Sequence, residues 1–145
     1  DQGGGAVMGL RLIQQVLLAE DGIRPKTPLC DHVMAQFDQD IDQIVEWSKA
    51  ALPRDYGQFS PAIFQYAGQG DELAIDMLKQ TAADIEMYLM ALNRKGAVRI
   101  CLMGSIAERI LAWLSPPVQQ WIVAPQADAI EGALMMAGKP EHNLY

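Results

Sequence analysis

The chain has 145 residues, half of them apolar, and a formal net charge of −7. This length and apolar content predict one folded domain with its own core and argue against intrinsic disorder. The negative charge disfavours nucleic acid as a partner, because phosphates would be repelled, and polar or charged residues interrupt the longest apolar stretches, which argues against a membrane span.

The cysteines and histidines indicate neither a metal site nor a redox centre. Cys30 and Cys101 stand far apart and outside any CxxC pattern, which is typical of core thiols in the reducing cytoplasm. His32 and His142 have no carboxylate or cysteine at the spacing of a zinc site. We therefore predict a cytoplasmic protein with no metal ligands in this chain.

The chain begins at Asp1, without an initiator methionine, and enters a glycine-rich segment at once. We expect it to be a fragment of a longer protein. A carboxylate followed by three glycines could let a hydroxyl-bearing ligand approach closely, or it could be a flexible connecting loop. The sequence leaves both interpretations open.

Apolar spacing predicts two helices in the first third of the chain. Leu10, Ile13 and Leu17 recur at helical intervals and lead to Gly22, a residue suited to a left-handed helix end. A second helix is predicted over about residues 29–52, ended by the following proline. Its acid-rich face could hold a metal ion, but a solvated helix face is the favoured interpretation.

Beyond a predicted loop at residues 54–58, two further helices are expected. The shorter covers residues 60–67, with Ser60 as its N-cap and a proline at its first position. The longer starts after Asp71, its N-cap, and ends before Gly96. Its apolar stripe consists of Leu78, Ala82, Ile85, Leu89 and Leu92.

The last third changes from a helical to an alternating apolar period, which predicts strands. A strand at residues 98–103 leads through Gly104 and Ser105 into a helix, a second strand covers residues 121–124, and a last helix covers residues 128–137. This connection implies parallel strands, and because two strands make no stable sheet alone, further strands are expected upstream of the chain. The predicted organisation is a helical part, 1–96, a strand–helix–strand–helix part, 97–138, and a tail, 139–145.

Gly104 and Ser105 form a candidate ligand site. A strand that runs through Gly-Ser into a helix suits an anion or a nucleotide, because glycine lets a ligand approach the backbone and the helix start offers free N–H groups. Such turns are also common connectors, so the residues alone leave both interpretations open. No Ser/His/Asp or Cys/His arrangement in the sequence supports nucleophilic catalysis.

The order of these segments resembles a known family. Residues 1–9, Asp-Gln-Gly-Gly-Gly-Ala-Val-Met-Gly, are similar to the Asp-Glu-Gly-Ser-Gly-Ala-x-x-Gly segment of the bacterial N-acetylglucosamine/glucosamine kinase-type members of the BadF/BadG/BcrA/BcrD ATPase family, in the actin/hexokinase/Hsp70 superfamily. Further matches follow in the family's order at residues 59–61, 70–71, 102–106 and 128–133. Each motif is short, so their order and spacing carry the resemblance.

The resemblance implies an α/β, helix-rich chain that forms the C-terminal half of a ribonuclease H-like (actin-like ATPase) domain in a two-lobed kinase. It implies that ATP, with Mg²⁺, donates its γ-phosphate to the 6-hydroxyl of glucosamine or N-acetylglucosamine. It places Gly104, Ser105 and Ile106 beside the adenosine, Gly132 near the nucleotide, and Asp1 toward the sugar.

Three residues depart from the family's pattern. Gln2 replaces the usual glutamate and Gly4 the usual serine, which bears on the sugar contacts, and Met103 stands where a second glycine is common, which would narrow the adenosine pocket. The family's phosphate loops and its general-base aspartate would lie upstream. No catalytic residue is therefore assigned to this chain, and we expect it to be inactive without the N-terminal lobe, since phosphoryl transfer depends on positioning.

Two other functions stay open from the sequence. An activator ATPase would hold an iron–sulfur cluster through cysteine thiolates at a subunit interface, and the predicted positions of Cys30 and Cys101, a helix start and a strand, argue against this. A non-catalytic helical interaction module would show no ATP-dependent behaviour. A homodimer formed through residues 29–69 is a further expectation, and the residues do not distinguish glucosamine from N-acetylglucosamine.

Overall fold

The computed structural model of the chain describes residues 4–125, and helices make up most of that range, as the helix-rich fold class predicts. None of these helices is long and apolar enough to cross a membrane. Asp1, Gly132, the predicted helix 128–137 and the tail 139–145 lie outside the described residues. The helices are α1 Gly5–Glu20, α2 Pro28–Ala35, α3 Ile41–Ala50, α4 Pro53–Gly57, α5 Ser60–Gly68, α6 Glu72–Arg94, α7 Ala107–Ile110 and α8 Pro116–Gln119, with a 3-10 turn Leu111–Trp113 between the last two.

Helix α1 buries a face that overlaps the predicted one only in part. Ile13 is buried and Leu17 packs against the core, as predicted, but Leu10 is 41% exposed. Met8, Leu12 and Val16, at intervals of four, are almost fully buried instead, because the neighbouring helices, chiefly α4 and α2, decide which side of α1 is covered. The predicted end at Gly22 is confirmed: its φ is +73°, and its N–H donates to a carbonyl of the last helical turn.

The predicted single helix over residues 29–52 is wrong, because the chain breaks between α2 and α3. Asp38 and Gln39 both adopt positive φ, and Asp40 caps α3 by accepting a hydrogen bond from the backbone N–H of Asp42 at 2.9 Å. Aspartate, with its short polar side chain, tolerates left-handed backbone at position 38 and favours the helix cap at position 40. Two of the acidic residues assigned to a solvated face are therefore turn and cap residues.

The predicted loop at residues 54–58 is mostly helix α4, which begins at the proline that was expected only to end its predecessor. The Asp55 carboxylate accepts a hydrogen bond from the Leu52 backbone N–H at 2.7 Å, so it stabilises the helix start. Tyr56 of α4 packs edge-on against Trp47 of α3, with ring centroids 4.9 Å apart. This aromatic contact holds α4 between α3 and the rest of the core.

Helices α5 and α6 confirm two predicted elements, and Asp71 ties them to α2. One Asp71 carboxylate oxygen accepts from the Ala74 backbone N–H at 3.0 Å, and the other accepts from the Leu29 backbone N–H at 2.9 Å. The predicted cap thus also anchors the start of α2. The cap position of α5 is Phe59, so the predicted cap residue Ser60 is the first helical residue instead, and its hydroxyl donates to the Gly57 carbonyl at 3.0 Å.

The predicted strands reduce, among the described residues, to one parallel bridge between Ile100 and Ile122. The Ile100 N–H donates to the Trp121 carbonyl at 2.8 Å, and the Val123 N–H donates to the Ile100 carbonyl at 2.9 Å. The predicted parallel direction is confirmed, but regular strands are absent from this range because an isolated pair lacks the neighbours that complete its ladder. The helix predicted after Ser105 is interrupted as well: α7 is a single turn continued by the 3-10 turn.

Candidate functional site

A cleft of about 480 Å³ lies where the start of α1, helix α4, helix α6 and the Gly104–Ser105 turn meet. Its volume is within the range of small-molecule sites, about 300–1,000 Å³. We call it the first cleft. It is lined by Gly4, Gly5, Ala6, Pro53, Arg54, Gly57, Ile85, Leu102, Met103, Gly104, Ser105, Ile106, Ala107 and Ile110.

The start of α1 forms one end of the first cleft and stands against the Gly104–Ser105 turn. A Cβ atom built on Gly5 would lie 3.3 Å from the Ser105 hydroxyl and 3.1 Å from the Ser60 hydroxyl, so any larger residue would crowd both. Gly4 is the N-cap of α1 and has no side chain that could cap it. Among residues 4–125, the first N–H groups of this 16-residue helix therefore have no side-chain partner, and they carry the positive end of its dipole.

The Gly104–Ser105 turn forms the facing wall of the first cleft. Gly104 has φ +117°, which an L side chain rarely adopts, and a Cβ atom there would meet nothing within 4 Å. Backbone conformation, rather than lack of space, therefore requires this glycine. Ser105 is exposed, but the Ile106 side chain is only 6% exposed and belongs to the core, so Ile106 borders the cleft mainly through its backbone.

The helix that follows this turn is shorter than predicted. Since α7 has 4 residues, its dipole is weak, and the free N–H groups expected at this position contribute little. The long helix that points its positive end at the first cleft is α1. The predicted turn thus lines the first cleft, but the long helix that begins at this cleft is α1 and not the helix that follows the turn.

A close backbone contact sets the position of α4 beside the first cleft. A Cβ atom built on Gly9 would lie 1.8 Å from the Tyr56 carbonyl oxygen, so α1 and α4 approach more closely than any other residue at position 9 would allow. Gly57, at the end of α4, packs against the backbone of Ala6. This contact brings Arg54 and Gly57 to the cleft, and sequence reasoning missed both. The one signal that could have suggested the contact is Gly9, a glycine inside an apolar helix at the end of the matched segment 1–9.

The side chains of the first cleft are nearly free of charge. Arg54 is the single charged residue among those that line it in the described part of the chain. Its Nε lies 4.0 Å from Asp55 Oδ1, the limit for an ion pair, and its side chain is 82% exposed. The guanidinium therefore keeps most of its hydrogen-bonding capacity for a ligand.

A partly buried ion pair holds α1 against α6, the two helices that frame the cleft. Arg11 Nη1 donates to Asp84 Oδ2 at 2.8 Å, and Gln80 Nε2 donates to Asp84 Oδ1 at 3.0 Å. Burial raises the pKa of Asp84, but the two hydrogen bonds and the Arg11 charge outweigh it, so the pKa lies below its ordinary value of 3.8. Asp84 is therefore an ionised structural anchor, and it is not among the residues that line the first cleft.

A second cleft, of about 750 Å³, lies on the other side of the Gly104–Ser105 turn. Glu108 and Arg109 are the charged residues that line it in the described range, together with the apolar segment that follows Ile122. The Arg109 guanidinium stands over the Phe64 ring at 5.9 Å from its centroid, so part of its charge is already engaged. The turn thus separates a nearly uncharged cleft from one that carries both signs of charge.

A divalent metal finds no prepared site in the described residues. Within 4–125 no three His, Cys, Asp or Glu side chains cluster as metal ligands, and the first cleft has no carboxylate among its lining residues. Mg²⁺ takes oxygen ligands, usually carboxylates, phosphates and water. The residues that line the first cleft between positions 4 and 125 therefore offer no carboxylate ligand for Mg²⁺.

Known proteins share both the sequence and the fold of this chain. Over its whole length the chain is 80% identical to glucosamine kinase GspK of Vibrio cholerae serotype O1 (strain ATCC 39315 / El Tor Inaba N16961), of which it covers 49%. Its fold matches the crystal structure of a candidate N-acetylglucosamine kinase from Chromobacterium violaceum with a TM-score of 0.83 and 28% identity, over 92% of this chain and 47% of that one. The chain thus spans about half the length of the relatives it matches. The sequence profile of the family described as BadF/BadG/BcrA/BcrD ATPases matches residues 1–137, which confirms the predicted resemblance: the chain belongs to the BadF/BadG/BcrA/BcrD ATPase family.

Proposed function

We propose that the chain is the nucleotide-side part of an ATP-dependent amino-sugar kinase, which transfers the γ-phosphate of ATP to the 6-hydroxyl of glucosamine or N-acetylglucosamine. The observation that carries the proposal is the meeting of the α1 start with the Gly104–Ser105 turn across one cleft. These are two of the segments that resemble the family's motifs, and they lie far apart in the sequence. The two relatives, described as glucosamine kinase and candidate N-acetylglucosamine kinase, support the reaction.

In this proposal the first cleft receives ATP. Gly104 and Ser105 border the adenosine, and the apolar side chains of Leu102, Met103 and Ile85 line the same cleft. Apolar walls with a few polar groups suit a base and ribose. Met103 is 56% exposed, so its side chain can move away from the cleft. Packing therefore does not force Met103 to narrow the proposed adenosine pocket. Gly132, also assigned to the nucleotide, lies outside the described residues.

The chain's own contribution to catalysis is positioning and electrostatic stabilisation. The first N–H groups of α1, which have no side-chain partner among residues 4–125, would donate hydrogen bonds to phosphate oxygens. The α1–α4 contact through Gly9 would hold that helix end in place. The first cleft contains no carboxylate that could accept the proton of a sugar hydroxyl. The general base and the ligands of Mg²⁺ would therefore come from other parts of the protein, and we propose that residues 1–145 alone are inactive.

For the sugar, we propose glucosamine first. The relative described as a glucosamine kinase is 80% identical to this chain, compared with 28% for the candidate N-acetylglucosamine kinase. Asp1 remains the proposed sugar contact within this chain, and it lies outside the described residues. We also propose a cytoplasmic location, because ATP and a reducing environment are both found there.

A homodimer through residues 29–69 stays a prediction. Val45 and Leu52 are the large apolar residues exposed on that segment, at 42% and 49%. Helix α6 exposes four large apolar residues, of which Met87 and Tyr88 are the most accessible, at 61% and 53%. Exposure within the described residues therefore does not favour the predicted surface over α6.

The proposal is tested by coupled ADP release from the intact gene product with a panel of hexoses and amino sugars. We expect ADP release that depends on glucosamine, with N-acetylglucosamine as the second substrate to compare. Release without any sugar would replace the kinase by an activator ATPase, and the absence of ATP binding and release would favour a non-catalytic interaction module. Residues 1–145 expressed alone should release no ADP with any sugar.

A further inference from the structure

We infer that Arg54 pairs with the anionic phosphates of the nucleotide in the first cleft and determines a large part of its affinity. This inference rests on the proposed function, since it names the partner of a side chain in the same cleft. Neither the sequence motifs nor the family resemblance singles out Arg54. Its assignment comes from its place in the structure.

The charge distribution is the first argument. The chain carries 18 acidic and 11 basic residues. Among the described residues that line the first cleft, however, Arg54 is the single charged residue, and no acidic residue is present. A cleft with one positive side chain and the positive end of α1 attracts an anion even in an acidic chain, because local charges dominate at short distance. A nucleotide's phosphates are the anion that the proposed function brings there.

The position of Arg54 within α4 is the second argument. Arg54 and Gly57 are three residues apart in a helix, so they lie on the same face, about one turn from each other. A Cβ atom built on Gly57 would lie 3.7 Å from the Ala6 backbone nitrogen, so this face of α4 stands against the uncapped start of α1. The guanidinium and the free N–H groups can therefore contact one phosphate chain together.

The availability of the guanidinium is the third argument. The neighbouring Asp55 uses one carboxylate oxygen to accept from the Leu52 N–H at 2.7 Å, and its other oxygen lies 4.0 Å from Arg54 Nε. Arg54 is thus held at the cleft by the helix backbone and not by a strong ion pair. A phosphate would give it shorter, charge-assisted hydrogen bonds.

Binding of ATP, ADP and adenosine to the intact gene product, measured by calorimetry, tests the inference. Arg54→Gln is expected to weaken ATP and ADP binding roughly 10-fold while leaving adenosine binding unchanged, because adenosine has no phosphate. Arg54→Lys, which keeps the charge but loses the planar fork, should recover part of the loss. Arg94→Gln removes the same charge from the exposed end of α6 and should change none of the three affinities.

Two results would overturn the assignment of Arg54 while the proposed function stands. One is wild-type ATP affinity in Arg54→Gln, and the other is an equal loss for ATP and adenosine, which would mean that Arg54 contacts the base or ribose. Arg109→Gln distinguishes the two clefts: a 10-fold loss of ATP affinity there, with none in Arg54→Gln, would place the phosphates in the second cleft. A wild-type protein that binds no ATP would overturn the proposed function itself, and the inference with it.

Discussion

Residues 5–94 and residues 97–125 hold their structure in different ways. In the first range, helices complete their own backbone hydrogen bonds and share an apolar core, in which Leu12 and Leu78 are fully buried. In the second range, the extended backbone is paired through one parallel bridge, and the helices are single turns. A helix is complete within its own segment, whereas a strand depends on neighbouring strands for its hydrogen bonds.

The first cleft lies at the junction of these two regions, so each supplies one wall. The second region is fastened to the core by Ile106, Ile110 and Leu114, which are buried, while Val98 is 73% exposed. The wall made by α1 and α4 depends on close contacts inside the helical region, and the Gly104 wall depends on one turn and a few anchoring side chains. Changes in the helical region should therefore cost more folding stability, and changes in the turn should act more selectively on ligand binding.

The largest effect is expected at Gly9 in the helical region. Gly9→Ala places a Cβ atom 1.8 Å from the Tyr56 carbonyl oxygen. Because the Cβ atom is fixed to the α1 backbone and the oxygen belongs to the α4 backbone, the two helices must separate. We expect a loss of about 4 kcal/mol or more in the free energy of unfolding, measured by urea denaturation. Gly68→Ala is the matched control, because its Cβ would meet nothing within 4 Å, and it should be neutral or slightly stabilising. Equal stability of the two variants would contradict the close contact.

A smaller loss is expected at Asp71, whose carboxylate joins α6 to α2 in the same region. Asp71→Ala leaves the backbone N–H groups of Leu29 and Ala74 without their buried acceptors, so the free energy of unfolding should fall by about 2–3 kcal/mol. Asp40→Ala removes a cap that accepts one hydrogen bond at an exposed site and should cost about 1 kcal/mol or less. The same urea titration measures both, and a larger loss in Asp40→Ala would show that Asp71 does not link the helices.

In the turn region, two substitutions of Gly104 distinguish the effect of backbone strain from the effect of reduced ligand access. Gly104→Ala and Gly104→Val both force an L residue to φ +117°, so each should lower the free energy of unfolding by about 1–2 kcal/mol. Valine also adds bulk beside the proposed adenosine, and we expect it to weaken ATP binding roughly 10-fold more than alanine does. Calorimetric titration with ATP measures the difference. Wild-type ATP affinity in Gly104→Val would remove the adenosine assignment.

The smallest effect is expected from the Arg11–Asp84 pair, and it depends on pH. The folded pKa of Asp84 lies below its ordinary value of 3.8, so the pair stabilises the fold above that value and the contribution is lost as pH falls through the lower folded pKa. Asp84→Asn should lower the free energy of unfolding by about 1 kcal/mol at pH 6, with the deficit shrinking below pH 4. Glu46→Gln, at the exposed pair with Lys49, should change the free energy of unfolding at pH 6 by less than about 0.5 kcal/mol. A deficit that grows toward low pH would reverse the assigned direction.

Prediction from the sequence succeeded where the structure is local. Helix α6, its Asp71 cap and the Gly96 stop with φ +99° follow from side-chain spacing and backbone preference over short distances. It failed between α2 and α3, where Asp38 and Gln39 break a segment whose apolar pattern continues. The spacing of apolar residues indicates which side of a segment can be buried, but it does not indicate where the chain changes direction.

By itself, the sequence determined the helix-rich character, the longest helix, the parallel direction of Ile100 and Ile122, and the family, because these depend on local propensity and on the order of short motifs. Only the tertiary structure decided which face of α1 is buried, that α1 rather than α7 directs a strong dipole at the cleft, and that Arg54 stands there. These features arise from contacts such as that of Gly9 with Tyr56, between residues remote in the sequence. Local preference allows a helix to bury any of several faces against several neighbours. Tertiary packing determines which face is buried and which neighbour it contacts.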